Sequence, residues 1–224
     1  FPGTIGAGFI DYIIADRDVI PEHEFDCYAE KVVWLPNSYQ ANDRARAIAD
    51  TATARKQHGL PDDAFVFCCF NNNYKITPDV FSSWMRILLA VENSVLWLFE
   101  DNATAAANLR REALARGVAP QRLVFAPRLA NAEHLARHRC ADLFLDTLPY
   151  AAHTTGSDAL WTGLPVVTCV GDTFAGRVGA SLLNAIGLPE LIATTAAEYE
   201  LLAIGLARDP CRLPPMKAKL ARHR

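Results

Sequence analysis

A chain of 224 residues, 51% of them hydrophobic and 21% charged, has apolar surface enough for one large or two small globular domains. The net charge of -3 gives no general attraction to nucleic acid or to acidic membranes, so any bound anion must be held by local groups. No apolar run is long enough to span a bilayer and no signal peptide is recognised, so neither nucleic acid nor membrane is an expected partner and the expected compartment is the cytoplasm.

Residues 1–42 offer a Pro2-Gly3-Thr4-Ile5-Gly6 loop, a strand predicted at Asp11 to Ala15 and another at Lys31 to Leu35. Two strands cannot bury a core alone. This part is expected to be the end of an α/β domain, packed on the next domain or on an absent partner. The opening at Phe1 rather than a methionine reads as a piece of a longer polypeptide. Residues 43–60 form an Ala- and Arg-rich linker, predicted helical from Asp43 to His58.

From 61 to 210 the pattern alternates. Strands are predicted at Phe65 to Phe70, Ser94 to Phe99, Arg122 to Phe125, Asp142 to Asp146 and Val166 to Val170. Helices are predicted at Pro78 to Val91 capped by Thr77, Thr104 to Arg116, Ala132 to Arg139 capped by Asn131, Ser157 to Thr162, and Ala175 to Ile186. A last helix covers Ala196 to Arg208, and residues 211–224, with Pro214-Pro215 and a basic end, are expected to be a frayed tail. Strands alternating with helices call for a parallel, doubly wound α/β sheet, whose ligands bind outside the strands' carboxyl ends.

The six cysteines show no CxxC pair and lie mainly in apolar runs, which favours buried thiols over disulfides and gives no zinc-ligand spacing. No Gly-x-Gly-x-x-Gly, Walker or serine-elbow sequence is present.

The most informative stretch runs from Asp142 to Thr168, DLFLDTLPYAAHTTGSDALWTGLPVVT. It reads as strand, loop, helix, Gly163-x-Pro165 stop, strand, with Thr154 or Thr155 as N-cap. A helix that starts at a strand's carboxyl end offers free amides and the positive end of its dipole to an anion. His153, Thr154 and Thr155 there make a seat for a diphosphate, and Asp158, acceptor-only while ionised, suits sugar hydroxyls. The plain alternative is a capped helix with His153 as loop filler. Three more loops leave strands on the same edge. Asn71-Asn72-Asn73-Tyr74-Lys75 brings a cation that a diphosphate leaving group needs, although a lone lysine is more often a solvated surface residue. Pro127 to His134 puts His134 and Arg137 on one helix face, where Arg137 would hold a base edge or, alternatively, belong to a solvated polar face. Arg177, after Gly171, either approaches the cleft or decorates a helix.

FNNNYKITPDVFSSWMRIL, NSVLWLFE, RLVFAPRLANAEHLARH, the stretch above, RVGASLL and ELIA…EYE occur in that order, preceded by FPGTIGAGFIDYIIAD and EKVVWLPNSYQ. Together they resemble the catalytic region of the O-linked N-acetylglucosamine transferases, the SPINDLY/O-GlcNAc-transferase family. The resemblance implies a GT-B fold, with a C-terminal Rossmann-like lobe at 61–210 and the end of the N-terminal lobe at 1–42. It implies an inverting, metal-independent transferase that moves a sugar from a nucleotide diphosphate to protein Ser/Thr hydroxyls, without a cofactor. Carried over, Lys75 would neutralise the leaving diphosphate, with Tyr74 and His134 beside the reacting centre. His153, Thr154 and Thr155 would bind the diphosphate and Asp158 the ribose. Arg137 and the backbone at Leu129 would frame uracil, and Pro2, Gly3 and Thr4 would face the donor from the other lobe. Asn72 and Asn131 stand near the donor where the animal enzymes have glutamine and lysine. The His-Thr-Thr-Gly-x-Asp set resembles the N-acetylglucosamine branch rather than the fucosyl branch, so UDP-N-acetylglucosamine is the expected donor. The family's upstream histidine base and tetratricopeptide region would have to come from elsewhere in the polypeptide. A fucosyl- or hexosyltransferase, a nucleotide-sugar epimerase of the same fold and a non-catalytic nucleotide-sugar-binding module remain as alternatives.

Overall fold

The computed structural model describes residues 3–50 and 53–222. Strands β1 (Tyr12–Ala15) and β2 (Lys31–Trp34) pair in parallel, Tyr12 opposite Lys31. They pack on the larger body through buried Asp16, whose Oδ2 accepts from the Ser181 hydroxyl at 2.7 Å and from the Tyr39 amide at 2.8 Å. Their other side leaves Tyr12, Ile14 and Val33 exposed.

The larger body is a six-stranded parallel sheet, made of β3 (Phe65–Cys69), β4 (Ser94–Phe99), β5 (Leu123–Ala126), β6 (Leu143–Leu145), β7 (Val166–Cys169) and β8 (Ile192–Ala193). Its order is β5-β4-β3-β6-β7-β8. β3, β6 and β7 are buried almost throughout, as parallel strands covered on both faces must be, which is why their sequences are continuous apolar runs. Cys68 and Cys69 point to opposite faces and both are buried. β8, two residues long, is too short to leave a sequence signal, and the alternation predicted only the first five strands.

Helices α1 (Pro78–Ala90), α2 (Ala103–Ala115), α3 (Asn131–Arg137), α4 (Thr154–Trp161), α5 (Phe174–Ala185), α6 (Ala196–Arg208) and α7 (Leu213–Arg222) connect and cover the strands. Thr77 caps α1 as expected, accepting from the Val80 amide, and Trp84 on its buried face bonds Tyr199 of α6. Such a cap contributes about 1 kcal/mol.

Three expectations are corrected. The described residues of the linker, 43–50 and 53–60, are not α-helical: they bend irregularly, with one 3-10 turn at Arg55–His58 that stops at Gly59 (φ +69°). The linker has no apolar stripe to pack, and tertiary bonds hold it open instead. Arg55 reaches the carbonyls of Cys140, Asp62 and Ala64 and the Asp142 carboxylate. Ala49 donates to the Ala132 carbonyl. These outweigh the helix propensity of alanine and arginine. As far as Arg222 the tail is not frayed either, because Leu213, Met216 and Leu220, spaced along one face of α7, are buried. Asn131 does not cap α3. The helix begins at Asn131 itself, behind Ala130, and ends in a 3-10 turn at His138–Cys140.

Candidate functional site

The strand order reverses between β3 and β6: from β3 the chain winds outward to β5, then returns to the far side of β3. Ligands of open α/β sheets bind at that switch point, outside the carboxyl ends. Here two loops meet, residues 71–76 after β3 and residues 147–153 after β6. They enclose a cleft of about 180 Å³ lined by Asn71, Asn72, Tyr74, Lys75, His153, Thr154 and Thr155. A larger cavity of about 350 Å³, between the linker, α4, α5 and α7, is mainly apolar. It is the roomier of the two, but the smaller cleft has the chemistry an anion requires.

Lys75, 9% exposed, projects its ammonium onto the carbonyl of Ala151 at 2.9 Å and over the Tyr150 ring at 4.1 Å. Burial lowers its pKa, while the buried Asp146 carboxylate pulls it back up. Tyr150 stacks in turn on His153, with centroids 5.1 Å apart. Burial and then the neighbouring Lys75 hold His153 below the ordinary imidazole range, so at neutral pH it is uncharged.

α4 begins three residues earlier than expected, at Thr154, so neither threonine is its cap. His153 occupies the N-cap position, without a side-chain cap bond. The amides of the first turn therefore have no intrahelical acceptor and no capping oxygen, which leaves the positive helix end open at the cleft. Thr154 is exposed beside it. The Thr155 hydroxyl is already engaged, donating to Asn71 Oδ1. Asn71, absent from the sequence-based site, bridges the two loops through its Nδ2, which donates to Thr147 Oγ1 at 2.7 Å. It was missed because three successive asparagines look alike in sequence, and only burial tells them apart: Asn71 is 2% exposed and Asn72 is exposed. Tyr74 is 73% exposed at the rim.

The remaining residues fall outside this cleft. Asp158 is buried on the first turns of α4, and its Oδ1 is occupied by the Arg46 guanidinium of the linker. Burial raises the Asp158 pKa and the arginine opposes that rise. Neither polar reading of Arg137 holds, a solvated face or direct presentation to a base. It is 1% exposed, packs over Phe70 at 4.6 Å and donates to the Pro127 carbonyl at 2.6 Å. It thus braces the loop that carries half-buried Leu129 and leads into α3 at exposed Asn131. His134 packs edge-on against Phe70 and His138, and burial takes it down to about 4, so it is neutral. Arg177 does not approach the cleft either. It forms a two-pronged ion pair with Glu24, at 2.7 and 2.5 Å, which fastens the N-terminal strands to α5. The Thr4 hydroxyl donates to Glu30 and Gly3 lines a separate hollow with Ile13, Tyr39 and Phe174, so neither lines the Lys75 cleft. Pro2 lies outside the described residues.

The family model of glycosyl transferase family 41 matches residues 1–52 and 46–224. The chain is 44% identical over 168 residues to the UDP-N-acetylglucosamine–peptide N-acetylglucosaminyltransferase of Caenorhabditis elegans, covering 75% of this chain and 15% of that protein. It is 38% identical over 226 residues to the Arabidopsis thaliana protein named a probable transferase of the same kind, SEC, covering 98% and 23%. Among solved structures, the O-GlcNAc transferase of Thermobaculum terrenum superposes with a TM-score of 0.83 at 34% identity, covering 95% of this chain and 40% of that one. The chain therefore spans about a quarter or less of these two curated relatives. Its sheet and helices are those of a GT-B glycosyltransferase.

Proposed function

The chain belongs to glycosyl transferase family 41, and from that premise we propose that it binds UDP-N-acetylglucosamine and serves in its transfer to Ser/Thr hydroxyls of proteins. One observation supports this most: a buried cation and an uncapped helix head converge on one cleft at the switch point of the sheet. A diphosphate is the anion that such a pair fits.

In this reading the acceptor hydroxyl attacks the anomeric carbon from the face opposite UDP, and the configuration inverts. Negative charge grows on the diphosphate as the bond breaks. Lys75 and the amides of Thr154 to Gly156 are already oriented toward it, so little reorganisation is needed when the charge appears. Uncharged His153 adds a hydrogen bond. Among the described residues, those lining the cleft offer a cation, hydroxyls and amides rather than carboxylates, and in this reading the leaving group falls to those protein groups. The acceptor's proton goes to the donor's own phosphate or to a group outside this cleft. Among the described residues no helix is long and apolar enough to cross a membrane, and the proposed setting is the cytoplasm, within a longer polypeptide that supplies the acceptor-binding parts.

The test is mass spectrometry of peptide acceptors incubated with the full-length protein and isotope-labelled UDP-N-acetylglucosamine. Label on serine or threonine is the expected result. Labelled epimer without peptide product would replace this reading by an epimerase, and bound donor that remains intact would reduce it to a binding module.

A further inference from the structure

Asp146, the residue after β6, is 0% exposed, so no substrate atom can touch it. Its Oδ1 accepts from two amides of one loop, Thr147 at 2.7 Å and Ala152 at 2.6 Å, and its Oδ2 accepts from the Thr168 hydroxyl at 2.7 Å. Its own carbonyl takes the Tyr199 hydroxyl at 2.9 Å. α5 closes over it so tightly that a methyl group at Gly179 would lie 2.6 Å from Oδ2. A buried carboxylate is costly unless its lone pairs are filled, and here both oxygens are.

One oxygen thus ties the first and the last residue of the 147–152 loop to a single point. Between them, Thr147 Oγ1 donates to the Tyr150 carbonyl at 2.7 Å and accepts from Asn71, and the Ala151 carbonyl is left facing Lys75. The pinned amide of Ala152 sits directly before His153, where α4 begins. Both halves of the anion seat therefore descend from one carboxylate.

We infer that Asp146 is a positioning residue of the donor site, whose carboxylate shapes the 147–152 loop so that Lys75 and the head of α4 present one common anion seat. This rests on the reading of Lys75 given above. No charged contact with the donor is involved. An asparagine can do the same work: its oxygen accepts from both amides, and the Thr168 hydroxyl turns to accept from its nitrogen.

The experiment is a double-mutant cycle read by calorimetry with UDP on the full-length protein, using Lys75→Ala, Asp146→Ala, the two combined, and Asp146→Asn. Lys75→Ala should weaken UDP binding about tenfold or more, the worth of one charge-assisted bond. Asp146→Ala should weaken it by nearly the same factor, and the double variant should be no more than about twofold weaker than either, because coupled residues do not add. Asp146→Asn should stay within about threefold of the parent, since it keeps the hydrogen bonds. If Asp146→Ala does not fold, Gly179→Ala takes its place, because its methyl group would lie 2.6 Å from both the Asp146 carboxylate and the Thr168 hydroxyl, which forces that pair apart and leaves every group of the loop intact. Parent affinity in Asp146→Ala, losses that add in the double variant, or an Asn variant as weak as the Ala variant would each overturn the inference. A Lys75→Ala variant that binds UDP as the parent does would instead bring down the donor-site reading itself.

Discussion

The ammonium of Lys75 donates to the carbonyl oxygen of Ala151 at 2.9 Å, across 76 positions of sequence, so the cation of one loop is aimed by the loop on the other side of the cleft. The contact joins β3 and β6 at the point where their connections diverge. It leaves the ammonium two further protons with which to meet a phosphate.

Lys75 should therefore matter more to transfer than to binding. Charge on the diphosphate is larger in the transition state than in the bound donor, so Lys75→Ala should lower the transfer rate by more than it weakens binding of the intact sugar nucleotide. Lys75→Arg should restore it only in part, because a bulkier, delocalised guanidinium does not reproduce the point charge that the Tyr150 ring and the Ala151 carbonyl hold in place. Steady-state kinetics beside calorimetry would check this; equal losses in the two would contradict it.

Arg46 holds Asp158, and Asn42, just before the linker, accepts from the Ser157 hydroxyl at 2.7 Å. Ribose hydroxyls that seek Asp158 must displace that guanidinium. Arg46→Ala should therefore tighten UDP several-fold, about the worth of one competing ion pair, whereas Asp158→Asn should weaken it. Weaker UDP binding in Arg46→Ala would mean that the arginine contacts the nucleotide directly.

Acid should destabilise the fold. Burial holds His134 down to about 4 and His138 down to about 3, against an unfolded value near 6.5. In the window from 6.5 to 4 the unfolded chain binds protons that the native chain refuses. Stability is thus full above 6.5 and falls with pH, by about 3 kcal/mol for His134 alone. Asp146, raised by burial from 3.8 to about 6, acts in the opposite sense, since its native state keeps a proton that the unfolded chain has lost. Two histidines outweigh one carboxylate, so the net slope is a loss on acidification. Urea midpoints at pH 7 and pH 5 would measure it. In His138→Asn, whose side-chain N–H can still meet the His134 carbonyl, most of the slope should vanish, because the one histidine left is nearly balanced by Asp146.

The N-terminal strand pair should open before the main sheet does. Asp16 accepts from the amides of Asp18, Val19 and Tyr39 and from the Ser181 hydroxyl. Asp16→Ala leaves those donors unmet beneath α5, at a cost of about 3 kcal/mol. Hydrogen exchange should accelerate across β1, β2 and the segment between them, while β3, β4 and β6 keep their protection. Uniform acceleration throughout would show that the two parts unfold as one.

Wherever a pattern is local, the sequence was a sufficient guide. The five longer strands, the helices between them and the Thr77 cap follow from runs, periods and capping residues within a few positions of one another. α7 was legible too, in the spacing of Leu213, Met216 and Leu220, but the double proline drew the reading toward disorder. Pro214 and Pro215 in fact fall in the first turn, where a missing amide costs nothing. The linker erred the other way. Its alanines promise a helix, and the arginine that holds it open, Arg55, acts on partners 85 and 87 residues away.

By itself the sequence determined a parallel α/β lobe, and through its ordered motifs the family and the two loops that carry the site, because each of those is written in neighbouring residues. The tertiary structure alone decided how the loops are used. It showed that buried Asp146 holds both ends of the 147–152 loop, that Asp158 is engaged by a linker arginine 112 positions away, and that Arg137 braces a loop from within the core. The reason is physical: a buried polar group takes whatever partner the packed chain brings to it, and that partner is chosen by how the strands are ordered in space.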